Sequence, residues 1–366
     1  MKLRLDTSKA YAIALEGGGA KGAYEVGVWR ALDEAGVRFD AVAGTSVGAL
    51  NGAMMVMGEL EQALRLWENI RFSQVFDADD VQLKKLYDHK LSEVNFRTLF
   101  KDAMEAIHEG GLDIEPLRRL IAEWVDEEKI RSSPKKLFLV TYSLTDKREL
   151  EMDADELEEG KLRDMLLASA YVPLFQRKKL DGKDYVDGSV HNIVPISSLL
   201  ERGYRDIIVI RIFGVGFEKR TRIPEDANII TVAPRERLGG VLQFDAAQSR
   251  RLLQLGYFDG LRMLYGLAGE KYYIDRQWSE TEAYFALQEL CRLFIKEETP
   301  SLREINETIL PKLAKHLKVK DGGYYDLLTA LLERLAERQG ISPFRVRTEK
   351  MLLTEIARGR QSRPLS

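Results

Sequence analysis

Cysteine is almost absent from this chain: Cys291 stands alone in 366 residues. A single thiol closes no internal disulfide, and no CxxC or Cys/His spacing of the kind structural zinc requires is present. The fold must stand on packing. Histidine is nearly as scarce, with four residues. An excess of charge of one sign is also missing, since 55 Lys plus Arg against 58 Asp plus Glu leave −3. That balance argues against a protein that covers phosphate backbones with its whole surface. No apolar run approaches the roughly 20 residues of a membrane span, and Met1 to Asp6 lead into a strand rather than an apolar signal core. These absences predict a soluble, cytoplasmic protein with no metal, no cofactor and no nucleic-acid partner.

What is present alternates. Tyr11 to Leu15 reads as a strand, a helical period follows from Ala20 to Ala35 with Gly36 as its left-handed stop, and Phe39 to Ala43 is a second strand. Val47, Leu50, Met54 and Met57 mark the next helix before Gly58, and residues 59–70 continue as another. Strands are predicted again at 136–142, 148–152, 206–213 and 228–233, with strand and turn at 185–194 and helices at 155–168 and 195–202. Strand–helix alternation of this kind builds a three-layer α/β/α domain on a mainly parallel central sheet. Its expected limits are 8–235, with a charged helical insertion at about 71–134. Residues 236–366 read as a C-terminal helical region, including a capping box at Ser301 to Glu304. From Arg276 onward there are 16 basic and 13 acidic residues, a net +3. Arg345, Arg347, Lys350, Arg358, Arg360 and Arg363 could touch an anionic membrane surface, although a solvated helix end is the plainer reading.

Two strand-to-helix turns carry chemistry. Gly17-Gly18-Gly19-Ala20-Lys21-Gly22 fits G-x-G-x-x-G after a strand, so its amides can hold an anion at a helix start. A dinucleotide fold would place an acid at the end of the second strand, but Asp40 lies at its beginning. Gly44-Thr45-Ser46-Val47-Gly48 fits the G-x-S-x-G nucleophile elbow. Ser46 as a simple N-cap is the competing reading. In a parallel sheet both turns open on one edge, where Ser46 can attack a carbonyl while the Gly17 to Gly19 amides meet the developing oxyanion.

A serine nucleophile needs a base. His89 and His108 fall in the charged insertion and His316 in the tail, leaving His191 four residues after Asp187. Asp187-Gly188-Ser189 ends a predicted strand, and its plain reading is an Asp-Gly turn. With these motifs together, the chain resembles the patatin-like phospholipases, lipid acyl hydrolases with a Ser-Asp dyad and no catalytic histidine. The glycine turn, the elbow and the D-G-[AGS] triplet occur in the family's order. Ala168-Ser169 with Pro173, and Asn192 with Pro195, resemble smaller family segments.

The resemblance covers about residues 10–215. It implies a lipid acyl hydrolase acting on phospholipids or lysophospholipids, with Ser46 as nucleophile and Asp187 as base. It also implies an oxyanion hole from Gly17, Gly18, Gly19, Lys21 and Gly22, with Gly18 and Gly19 leading, and Gly44, Gly48 and Gly188 shaping the turns. The expected partner is a lipid, met through transient contact with a membrane surface. A histidine-dependent α/β-hydrolase and a non-catalytic nucleotide binder are the alternatives. The insertion is a natural place for a lid or acyl-chain groove, with ordinary core helices as the competing reading.

Overall fold

The computed structural model describes residues 1–77, 111–294, 300–320 and 322–361. The chain divides into two compact units, one formed by residues 5–261 and the other by 1–4 with 262–366.

The first unit is built on a seven-stranded sheet. Its strands are β1 (Ala10–Leu15), β2 (Arg38–Thr45), β3 (Lys136–Ser143), β4 (Arg148–Asp153), β5 (Tyr185–Asp187), β6 (Asp206–Ile210) and β7 (Asn228–Val232). They lie in the order β4-β3-β2-β1-β6-β7, with β5 also paired to β3. The pairs among β3, β2, β1, β6 and β7 are parallel, whereas β4 and β5 run antiparallel to β3. Helices α1 (Ala23–Glu34) and α2 (Val47–Met57) follow β1 and β2 directly. They are joined by α3 (Leu60–Asn69), α4 (Glu115–Trp124), α5 (Glu127–Ser132), α6 (Leu162–Ser169), α7 (Ile196–Glu201) and, up to residue 261, α8 (Ala246–Tyr265).

Side chains alternate across the pleat, so each central strand serves two layers. Ala12, Ala14, Ala41, Ala43 and Val209 join Leu199 and Leu200 of α7 in one buried cluster. On the other face, α2 lays Gly52 against Leu15, Val42 and Leu137. The expected three-layer α/β/α architecture is thereby present. Gly36 ends α1 as predicted, at φ 70°, with its amide and that of Val37 bonded to the Asp33 and Leu32 carbonyls.

Several expected boundaries shift. The helix predicted over 155–168 forms only as α6, because Asp153 caps a short 3-10 turn at Ala154–Glu156 and Gly160 then adopts φ 82°. The strand predicted over 206–213 stops at Ile210, because the amides of Ile212, Phe213 and Gly214 all donate to the Glu16 carboxylate. Of the 71–134 insertion, residues 78–110 lie outside the described residues, and the remainder includes a 3-10 turn at Phe72–Gln74 with α4 and α5.

The second unit is helical around buried Leu287, Leu328, Leu332 and Leu352. It adds a two-stranded parallel pair, Tyr273–Ile274 with Val346–Arg347, which was too short to leave a periodic signal. Ser301 caps as expected by accepting the Glu304 amide. Arg345 and Arg347, two cations of the basic C-terminal stretch, both pair with Glu355. Among the described residues no helix is long and apolar enough to cross a membrane.

A buried polar knot ties the first three helices together. Asn51 of α2 donates to the Glu25 carboxyl at 2.7 Å and to the Gly22 carbonyl at 3.0 Å, while Trp67 of α3 donates to Asn51 Oδ1 at 3.0 Å. Burial pushes the Glu25 carboxyl well above its ordinary 4.5, against the opposing pull of the Asn51 hydrogen bond. In the unfolded chain Glu25 loses its proton near pH 4.5, whereas the buried carboxyl keeps it. The unfolded state then binds fewer protons. Stability falls by about 1.4 kcal/mol per pH unit above that value until the buried group itself ionises. Glu25→Gln removes this slope, so its stability relative to wild type should rise with pH in urea melts. A pH-independent difference would mean that Glu25 is ionised in the fold.

Candidate active site

Ser46 sits between β2 and α2 at φ 55°, ψ −125°, a region that side-chain-bearing residues rarely occupy. The elbow needs its glycines for space. A Cβ on Gly44 would run into the Gly48 carbonyl, and one on Gly48 would come within 2.6 Å of the Leu15 carbonyl oxygen. The Ser46 amide donates to Ser169 Oγ at 2.9 Å, and that hydroxyl donates to the Val140 carbonyl at 2.6 Å. Ser169, from the end of α6, therefore pins the elbow to β3. Thr45 Oγ1 donates to the Asn192 carbonyl at 2.8 Å and fixes the other flank.

The Ser46 hydroxyl donates to Asp187 Oδ2 at 2.6 Å. Asp187 ends β5, and its second oxygen accepts the Ser189 amide at 2.8 Å. Gly188 lets this turn press against the Val140 carbonyl. The carboxyl is buried, and desolvation raises it above its ordinary 3.8, although the hydrogen bonds from Ser189 and Ser46 oppose the shift. A carboxylate in this setting is a stronger base than one in water.

The glycine turn lies against the same place. Gly18, Gly19 and Ser46 line one cavity with Asp187. The amides of Gly17, Ala20 and Lys21 are taken by the carbonyls of Ile193, Val241 and Gly18. Gly19 begins a 3-10 helix, Gly19–Gly22, and so has no acceptor behind it. Among the described residues, the Gly18 and Gly19 amides meet no protein acceptor. Gly22 is packed beneath the turn, facing Val47, Asn51 and Trp67. Lys21 is buried and donates its ammonium to the Phe213 carbonyl, and desolvation lowers its pKa against the opposing field of Glu16. Its amine therefore holds the loop after β6.

The described histidines lie elsewhere. His191 turns its Nδ1 to Glu149 at 3.2 Å and stacks on Tyr142, with ring centroids 5.8 Å apart. His316 belongs to the helix Leu310–Leu317 of the second unit, and His89 and His108 lie outside the described residues. Asp40 is exposed near the start of β2, far along the strand from the edge where Thr45 precedes Ser46. Among the described residues no group of three His, Cys, Asp or Glu could hold a metal ion.

Two cavities reach Ser46 and Gly19. One, of about 90 Å³, is strongly apolar and runs between α2 and α4 past Leu50, Met54, Leu117 and Leu120. The other, of about 400 Å³, opens past Asp187, Tyr142, Val172 and Val215. Phe76, Leu117, Leu120 and Ile121 from the 71–134 insertion help to enclose the first. The roles of Ser169 and Glu16 were not evident in the sequence: Ser169 appeared only within a family-like segment, and Glu16 carried no signal beyond its place beside the glycines.

A family model described as patatin-like phospholipase matches residues 13–200. Patatin-like phospholipase domain-containing protein 7 of Mus musculus is 51% identical over 51 residues, covering 14% of this chain and 4% of that protein. Lysophospholipase nte1 of Aspergillus terreus is 50% identical over 46 residues, covering 13% of this chain and 3% of that protein. These matches span a small fraction of the relatives' own length. Among solved structures, VipD from Legionella pneumophila aligns with a TM-score of 0.44 at 13% identity, over 98% of this chain and 88% of that one.

Replacing Ser169 with Ala leaves the buried Ser46 amide and the Val140 carbonyl without their shared partner. The expected cost is about 1–3 kcal/mol of stability, read as a lower midpoint in urea denaturation. An unchanged midpoint would mean that the elbow does not depend on this hydroxyl.

Proposed function

The chain belongs to the patatin-like phospholipase family, and from that premise we propose that it is a lipid acyl hydrolase in which Ser46 is the nucleophile and Asp187 its base. The observation that carries this reading is the 2.6 Å hydrogen bond from the Ser46 hydroxyl to a buried carboxylate. In the first step Ser46 Oγ attacks the ester carbonyl carbon as its proton passes to Asp187 Oδ2. The carbonyl oxygen becomes an oxyanion facing the Gly18 and Gly19 amides, donors that contribute most when charge develops there. Collapse of the tetrahedral species breaks the ester bond, and the proton on Asp187 goes to the departing alcohol. Water then gives a proton to Asp187 and attacks the acyl-Ser46 carbonyl. The fatty acid leaves and Ser46 recovers its proton.

The two cavities support a division of the substrate between them. The narrow apolar one suits the acyl chain, and the wider one suits the alcohol portion of a phospholipid or lysophospholipid. This extends the acyl-groove expectation to the described helices of the insertion.

Fluorophosphonate labelling should disappear in Ser46→Ala, and labelling that persists would remove Ser46 as nucleophile. Asp187→Asn should lower kcat by about 10²–10⁴-fold, whereas His191→Ala should leave it unchanged. A protonated Asp187 cannot accept the serine proton, so the rate falls as pH drops through its pKa. Because burial raises that pKa, the acid limb of kcat/KM should have its midpoint above 3.8. A midpoint at or below this value in folded protein would contradict a buried carboxylate base. Leu120→Trp should shorten the apolar cavity and lower the octanoate-to-butyrate ratio of kcat/KM for nitrophenyl esters by roughly tenfold, at about 0.8 kcal/mol per buried methylene. An unchanged ratio would place the acyl chain elsewhere.

A further inference from the structure

We propose that the loop from Phe213 to Arg222 docks the protein on an anionic lipid bilayer at the rim of the site. The proposal rests on this rim alone and does not require turnover.

The loop leaves β6 at the edge where Ser46 lies. Val215 lines the wider cavity with Ser46 and Asp187, Gly214 abuts the Gly17 carbonyl, and Gly216 abuts the Ser189 carbonyl. On either side of Val215, Phe213 and Phe217 are 54% and 61% exposed. Among the described residues of this unit, the exposed large hydrophobic side chains are Phe213, Phe217 and Ile223, all within one short stretch. Scattered exposed apolar residues need no explanation, but a concentration beside a cavity does.

Nor is the loop exposed for want of anchoring. Glu16 accepts the amides of residues 212–214 and pairs with Arg211 at 2.9 Å, the Phe217 amide donates to the Ser189 carbonyl at 2.8 Å, and the Ile193 amide donates to the Phe217 carbonyl at 2.7 Å. The backbone is held while the rings are presented.

Charge selects the occupant. Glu218 pairs at 2.8 Å with Arg211, which it shares with Glu16, and Lys219 is engaged by Glu149 and Glu151 at 3.0 Å. Arg220 and Arg222 are exposed and, among the described residues, make no ion pair. Arg177, also exposed, lines the same wider cavity. A purely apolar patch would suit a second copy of the chain. Rings flanked by unpaired guanidinium groups suit a surface that is anionic outside and apolar within.

The test uses the full chain as Ser46→Ala, so that binding is read without turnover, with sedimentable vesicles of phosphatidylcholine alone or mixed with phosphatidylserine. The protein should bind the mixed vesicles more tightly, and salt should weaken that preference. Arg220→Gln with Arg222→Gln should reduce affinity for the mixed vesicles by about 30-fold and leave binding to phosphatidylcholine unaltered. Phe217→Ser should reduce binding to both by about tenfold. In the chain with Ser46 intact, these changes should leave turnover of a soluble short-chain ester unchanged. Absence of vesicle binding, or equal binding by all variants, overturns the proposal. Self-association abolished by Phe217→Ser, without vesicle binding, would assign the patch to a second copy and likewise overturn it. Absence of soluble-ester turnover in the unsubstituted chain would instead count against the hydrolase reading and leave the docking result to stand by itself.

Discussion

The lack of space between the end of β2 and the start of α2 governs the candidate site. With no room for a Cβ at Gly44 or Gly48, the chain turns abruptly, and Ser46 takes a backbone conformation that costs about 1–3 kcal/mol when a side chain is present. Such a conformation persists only if its surroundings over-determine it. Here Ser169 and β3 hold the amide, Asn192 holds Thr45, and Asp187 meets the hydroxyl. Residues separated by 123 to 147 positions thus converge because one turn has no slack.

Burial of ionisable groups around that turn is selective. Glu25 and Asp187 both feel desolvation, yet their surroundings differ. Glu25 has one oxygen engaged by Asn51 and the other, among the described residues, without a hydrogen-bond partner, an arrangement suited to a neutral carboxyl. Asp187 has both oxygens occupied by donors, an arrangement suited to a carboxylate. Desolvation therefore acts on both groups, while their hydrogen bonds set apart the carboxyl under the glycine turn from the one beside the serine.

Much of this could be read from residue order, because the informative features were local. Gly36 and Gly58 mark helix ends by conformational need, short apolar runs mark β1 and β2, and glycines bracket Ser46. The features that escaped were set by distant partners. Nothing near Ile210 announces that the strand must end there, since the competing acceptor is Glu16, which precedes the glycine turn. Lys21 reads as a cation beside an anion site, but its reach to Phe213 depends on a contact across 192 positions. Over 155–168 a continuous helix is expected, whereas in the fold the Asp153 cap and the positive φ of Gly160 prevail.

Glu16 also has a kinetic and entropic meaning. One carboxylate accepts three successive backbone amides, so the segment after β6 is already ordered in the isolated molecule. Fixing a free backbone costs about 1–2 kcal/mol per residue, and a flexible rim would lose that much from any association it makes. A rim fixed beforehand associates without a folding step, and its contacts can form as fast as the molecule collides in the right orientation.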